Sequence, residues 1–301
     1  MRVTNKMINN NLLLNLNRGL SRLEKINNQL GTKKKINQPS DDPVKTGVIL
    51  RTSSSIREVE QLIRNVDAAV SWLDATDVVL QDVVSVIHRA KELAVAGAST
   101  HLDDTARKAL ADEVAQLFDN VFQLANSTHG GRYIFALQYT DVKPFTKVDE
   151  AAPVSQVEFL AGKSLADVRP VQFDIGAEKP MEVSLNGGEI FGPIFDALRT
   201  LYDGLNNGDG AAVNTVIGSL DTALDNVLRK ISEVGGKQNR VELARERFTD
   251  LKLNLTRILS EDQDLDYSEA IMELKMEEFA YRTALSVGAR IIQPSLVDFL
   301  R

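Results

Sequence analysis

The sequence predicts a mainly α-helical protein with a small β-rich insert. It reads as an elongated antiparallel bundle or coiled-coil rod, with the N- and C-terminal helices paired at one end and the β segment at the other. Three observations lead there. Proline is confined to Pro39 and Pro43, to Pro144, Pro153, Pro170, Pro180 and Pro193, and to Pro294, which leaves 44–143 and 194–293 without any. Proline is the residue that most reliably ends a helix. Through both proline-free stretches, apolar residues recur at alternating four- and three-residue steps, the spacing of a helical seam. Between them the period changes to two.

Near the start, Leu13, Leu16, Leu20, Leu23 and Leu30 keep this spacing, with Asn27 in the slot between the last two. The first long arm follows, with Val48, Val59, Leu62, Val66, Ala69, Leu73, Leu80, Val83, Ile87, Ala90 and Ala94 in one row. Thr52, Ser55 and Thr76 are its polar members, and Ile49, Ile56, Ile63 and Val70 widen the stripe toward a bundle. At 1.5 Å per residue, the ~47 residues of that row span roughly 70 Å, a rod rather than a globule. A break follows at Gly97-Ala98-Ser99-Thr100, with Asp103 or Asp104 as N-cap of a further helix carrying Leu110, Val114, Leu117, Val121 and Leu124. That helix stops before Gly130-Gly131.

The insert, 138–195, alternates apolar and polar residues at Val157 and Phe159, at Val171, Phe173 and Ile175, and at Val183 and Leu185. Turn signals at Ala161-Gly162, Gly176 and Asn186-Gly187-Gly188 separate these runs. The second long arm carries Val213, Ile217, Leu220, Leu224, Val227, Ile231, Val234, Val241, Phe248, Leu255 and Leu259, with Gly235-Gly236 as a place where it weakens or shifts. Toward the end, Ile271, Leu274, Tyr281, Leu285 and Ile292 repeat the rhythm behind a capping box, Asp266-x-x-Glu269.

This divides the chain into a terminal helical assembly region (1–44 with 265–301), a helical rod (45–137 with 196–264) and the β-rich insert (138–195). Two amphipathic helices with few neighbours cannot bury their leucines, while ordering a backbone costs on the order of 1–2 kcal/mol per residue. The ends are therefore expected to be disordered in a single copy and to order when copies pack together. The alternative, ordinary core helices of one domain, stays open.

Composition narrows the function. The 301 residues carry 35 Lys and Arg against 42 Asp and Glu, a formal charge of −7, which argues against nucleic-acid binding because phosphates reward positive charge. No apolar run approaches the ~18–20 residues of a membrane helix. There is no cysteine, so disulfides, thiolate nucleophiles and cysteine metal sites are excluded. The histidines, His88, His101 and His129, lack metal-ligand spacing, and no set of nucleophile, base and oxyanion donors can be assembled. No enzyme, no metal and no cofactor is expected. The start of the chain lacks the apolar region of a secretory signal.

Several stretches together resemble the flagellin superfamily. Asn37-Gln38-Pro39-Ser40-Asp41-Asp42-Pro43 is similar to the turn that joins that family's first two helical segments, and the resemblance makes Pro39, Asp41, Asp42 and Pro43 the inter-segment turn. Residues 103–126 resemble its second core helix, and 289–300, with Leu296 and Phe299, its C-terminal signature. Met1-Arg2-Val3-Thr4, Gly131-Arg132-Tyr133-Ile134-Phe135-Ala136 with Asp141-Val142-Lys143-Pro144-Phe145, and Asn186-Gly187-Gly188-Glu189-Ile190-Phe191-Gly192 resemble the hook-associated branch at the hook–filament junction. The resemblance implies a structural junction subunit, exported unfolded through the flagellar apparatus with its own chaperone and without a cleavable signal. It would assemble with itself in a ring-like layer between a neighbouring hook-associated protein and flagellin, outside the cell. Its assembly interface is expected at Leu13, Leu16, Leu20, Leu23, Leu30, Ile271, Leu274, Tyr281, Leu285, Ile292, Leu296 and Phe299. The alternatives are a filament flagellin or a helical scaffold.

Overall fold

The computed structural model describes residues 5–98, 103–150, 152–163, 169–176 and 179–292. Six helices dominate it. Helix α1 spans Asn5–Thr32, α2 Pro43–Gly97 and α3 Asp104–Ala125. After β1 (Thr128–His129), β2 (Arg132–Tyr133), β3 (Phe145–Lys147), β4 (Val157–Phe159), β5 (Gln172–Phe173) and β6 (Met181–Glu182) come α4 (Gly187–Asn207), α5 (Gly210–Gln263) and α6 (Tyr267–Ile292). The chain forms two compact units: Met1–Val59 with Asp250–Arg301, and Glu60–Thr249. The first unit takes a longer piece of each long helix than the sequence reading gave the terminal region. The insert shares the second unit with the helices.

Helix starts follow local chemistry. Pro43 opens α2, where its missing N–H costs nothing, and the Asp42 carboxylate accepts the N–H groups of Val44 and Lys45, each at 3.0 Å. Asp266 does the same for α6 through Ser268 and Glu269, and Asp209 for α5 through Ala211 and Ala212. Asp103 takes the N-cap position of α3 with extended backbone but makes no side-chain cap bond. Helix α4 begins earlier than Pro193 suggests. Asn186 caps it through Gly188 N at 3.0 Å, and Pro193 lies inside it. A proline leaves the carbonyl four residues back without its helical donor. Here that carbonyl, on Glu189, accepts from Asn226 Nδ2 of α5 at 2.9 Å.

Within the second unit, α2 and α5 run antiparallel. Arg245 pairs with Asp67 at 2.9 Å, Gln238 donates to Asp74 at 2.9 Å, and Lys91 pairs with Asp221. Each step forward along α2 is matched by an equal step back along α5. Between the bridges lie rows repeating every seven residues: Val66, Leu73, Leu80, Ile87 and Ala94 on α2, and Val213, Leu220, Val227, Val234, Val241 and Phe248 on α5, all buried. A strict seven-residue repeat keeps the seam facing its partner. Helix α5 runs through Gly235-Gly236 without a break.

The insert is three separate two-stranded antiparallel pairs, β1–β2, β3–β4 and β5–β6, rather than one sheet. Gly130 and Gly131, both at positive φ, make the β1–β2 turn. Its core is borrowed from the helices. Phe135, Phe145, Phe191 and Phe195 form an aromatic cluster with ring centroids 4.8 to 6.4 Å apart, joined by Phe118 of α3 at 5.2 Å from Phe195. Asn126 pins the cluster: its Nδ2 donates to Phe122 O and its Oδ1 accepts Phe145 N.

Candidate assembly surface of the terminal helices

The first unit is built around α1 and α6. Tyr281 reaches Gly19, where an added Cβ would stand 3.4 Å from the ring. Leu12 reaches Gly288, where a Cβ would stand only 2.6 Å from a leucine methyl. The Arg22 guanidinium donates to both carboxylate oxygens of Glu277, at 2.7 and 3.2 Å. These three pairs fix an antiparallel arrangement. On α1 the row facing α6 is Leu12, Leu16, Gly19, Leu23, Ile26 and Leu30; on α6 it is Ala270, Leu274, Glu277, Tyr281, Ala284 and Gly288. Both rows keep four–three spacing.

The two connections close the pair at one end. Lys35 N donates to Gln263 O at 2.7 Å and Leu265 N to Lys33 O at 3.2 Å, so the α1–α2 and α5–α6 turns form a short antiparallel bridge. Asp41 organises the first turn. One of its carboxylate oxygens accepts Asn37 N and Gln38 N, both at 3.1 Å, and the other meets Lys25 of α1 at 2.9 Å. The Lys25 ammonium, and next the Gln38 N–H, hold the Asp41 carboxyl below its ordinary range.

Of the residues expected at an interface, Leu16, Leu23, Leu30, Leu274 and Tyr281 are half-buried in this helix pair. Leu13, Leu20, Ile271 and Leu285 point out to solvent, each about half exposed. Ile292 is the last residue of α6, its side chain outside the description, and Leu296 and Phe299 lie outside the described residues. The row read from the sequence thus mixes two faces, because it passed over Gly19, whose small size is what admits Tyr281. Sequence reasoning also missed an outward row on α6: Met272 is 61%, Met276 62% and Phe279 74% exposed. Among the described residues of this unit, the buried apolar side chains are Ile26, Ile36, Ile49, Val59 and Ala270. More large apolar side chains are exposed than buried among the described residues of this unit.

A groove of about 710 Å³ runs between α4 and α5. Thr200, Thr215 and Thr222 on its walls each donate to a carbonyl of their own helix, and Asn226 donates to Glu189 O. His129 meets Ser71 Oγ at 3.1 Å and stands edge-on to Trp72. Among the described residues, no group of three His, Cys, Asp or Glu side chains could hold a metal ion, and no helix is long and apolar enough to cross a membrane.

Residues 3–140, which hold α1, α2, α3 and the first hairpin, match the bacterial flagellin N-terminal helical region. The chain's N-terminal part is similar to the N-terminal helical region of bacterial flagellins. Among similar proteins, the flagellar hook-associated protein 3 of Escherichia coli K12 is 25% identical, with 86% of this chain and 87% of that protein covered. The 30.7 kDa flagellar filament core protein of Treponema maltophilum is also 25% identical, over 87% and 86%. A flagellar hook-associated protein structure from Vibrio parahaemolyticus shares the fold, with a TM-score of 0.65 at 19% identity, covering 74% of this chain and all of that one. All three bear the names of flagellar proteins.

Proposed function

We propose that this chain is a structural junction subunit joining the hook of a bacterial flagellum to its filament, and not an enzyme. The observation that carries this reading is the paired α1 and α6 with an apolar outer face and little core of their own. A surface of that kind is stable in water only when covered, and subunits above and below cover it. Alone, the outer parts of α1 and α6 fray; within the flagellum they order against like subunits in a ring-like layer, a neighbouring hook-associated protein and flagellin. The chain reaches this extracellular place by flagellar export, unfolded, with a chaperone and without a cleavable signal.

The junction rather than the filament is supported by the second unit. The segments that resemble the hook-associated branch, around Phe135, Phe145 and Phe191, meet in one aromatic cluster, with Phe191 4.8 Å from Phe135 and 5.6 Å from Phe145. The filament reading keeps its place because the Treponema filament protein is equally similar. Deleting the gene tests both. Flagellin released into the medium from cells whose hooks remain intact is the expected result; filaments still attached to hooks would overturn the junction assignment. Purified chain that grows long filaments on seeds would favour the filament reading.

A further inference from the structure

Asp41 stands where the chain turns from α1 into α2, and its carboxylate joins the two. It accepts two backbone N–H groups of the turn, from Asn37 and Gln38, while its other oxygen meets the Lys25 ammonium about two turns back from the end of α1. Its own N–H returns to Gln38 O at 2.9 Å. The neighbouring Asp42 already caps α2, and Pro39 and Pro43 on either side fix φ. A second tie lies on the same side of α1, where Gln29 Nε2 donates to Lys35 O at 2.7 Å. Glu24 of α1 lines the same hollow and is the other charged group of that helix beside Asp41. Because the turn is also bridged to the α5–α6 connection, the direction given to α1 is passed to α6.

We propose that Asp41 is the positioning residue of assembly: by clasping Lys25 it sets the direction in which α1, and α6 with it, leaves the first turns of α2. The half-exposed ion pair adds little to stability. Its use is aim, since an apolar face that is to meet a neighbour in a regular layer must be presented at one angle. The inference rests on the assembly reading only for its cellular consequence.

The chain has no cysteine, so nitroxide labels introduced by Asn27→Cys and Arg57→Cys report the α1–α2 distance alone. The labelled full-length chain is expected to give one narrow distance distribution, broadened by Lys25→Met and restored by Lys25→Arg. With Lys25→Met the turn keeps its two backbone bonds, so exchange of the Asn37 and Gln38 amides changes little, whereas Asp41→Ala speeds it about tenfold. In cells lacking the native copy, Lys25→Met is expected to lower the number of attached filaments about tenfold, a shift equivalent to about 1.4 kcal/mol, and Lys25→Arg to leave it near normal. A distribution that stays narrow with Lys25→Met overturns the clasp. Broadening with normal filament numbers overturns its role in assembly. If the parent chain itself fails to support filaments, the assembly reading falls, while the distance measurement still decides the clasp.

Discussion

Asp41 has a pH signature that can be worked out in sign. Its folded-state pKa lies below the unfolded one, first because of Lys25 and then because of the turn N–H groups. The stability it contributes is therefore fully present above the ordinary carboxylate value near 4 and is lost as pH falls through the lower, folded value. Asp41→Asn is expected to destabilise the first unit by about 0.5 kcal/mol at neutral pH, with the difference closing in strong acid, as read by thermal unfolding at several pH values. Asn226 offers a second measurement at this scale. Its amide satisfies the Glu189 carbonyl that Pro193 cannot, so Asn226→Ala is expected to cost about 1 kcal/mol in the parent and less once Pro193→Ala restores the helical donor. A thermal double-mutant cycle with no coupling would count against that account. Residues such as Pro193 are where the sequence misleads: its ring reads as a stop signal, and the partner that makes it tolerable lies far along the chain on α5.

At the scale of elements, the two faces of the helices have opposite uses. Leu80 lies fully buried in the seven-residue row of α2, so Leu80→Ala is expected to cost about 2–5 kcal/mol in chemical denaturation. Phe279 is 74% exposed on α6, so Phe279→Ser is expected to leave the unfolding midpoint within about 0.5 kcal/mol while impairing assembly. The long arms were legible because one period ran through each without interruption, and the glycine pair at 235–236 did not break it. The terminal seam was half legible: Leu16, Leu23, Leu30, Leu274 and Tyr281 were in it, but a glycine at a contact position carries no apolar signal. The insert was legible as β-rich only in part. Its alternation marks β4 and β5, yet most of the phenylalanines that hold it together come from α3, α4 and a loop, with only Phe145 on a strand, which no local pattern announces.

For the whole molecule, the difference in core between the two units predicts how it responds to hydrogen exchange. Amides in the second unit, around Leu73 and Val227, are expected to be slow in the isolated chain. Those near residues 10–20 and 279–290 are expected to exchange quickly there and to become protected in assembled flagella. Strong protection at both ends in dilute solution would favour a self-sufficient single domain and remove the physical ground for assembly. The antiparallel pairing of α1 with α6 has one more outcome. Leu12 and Gly288 touch, so the paired face of α1 and α6 exists only in a molecule that possesses both helices. A fragment that lacks either one forfeits that face, and under the assembly proposed above an unfinished polypeptide is expected to be left out of a growing structure without a separate inspector.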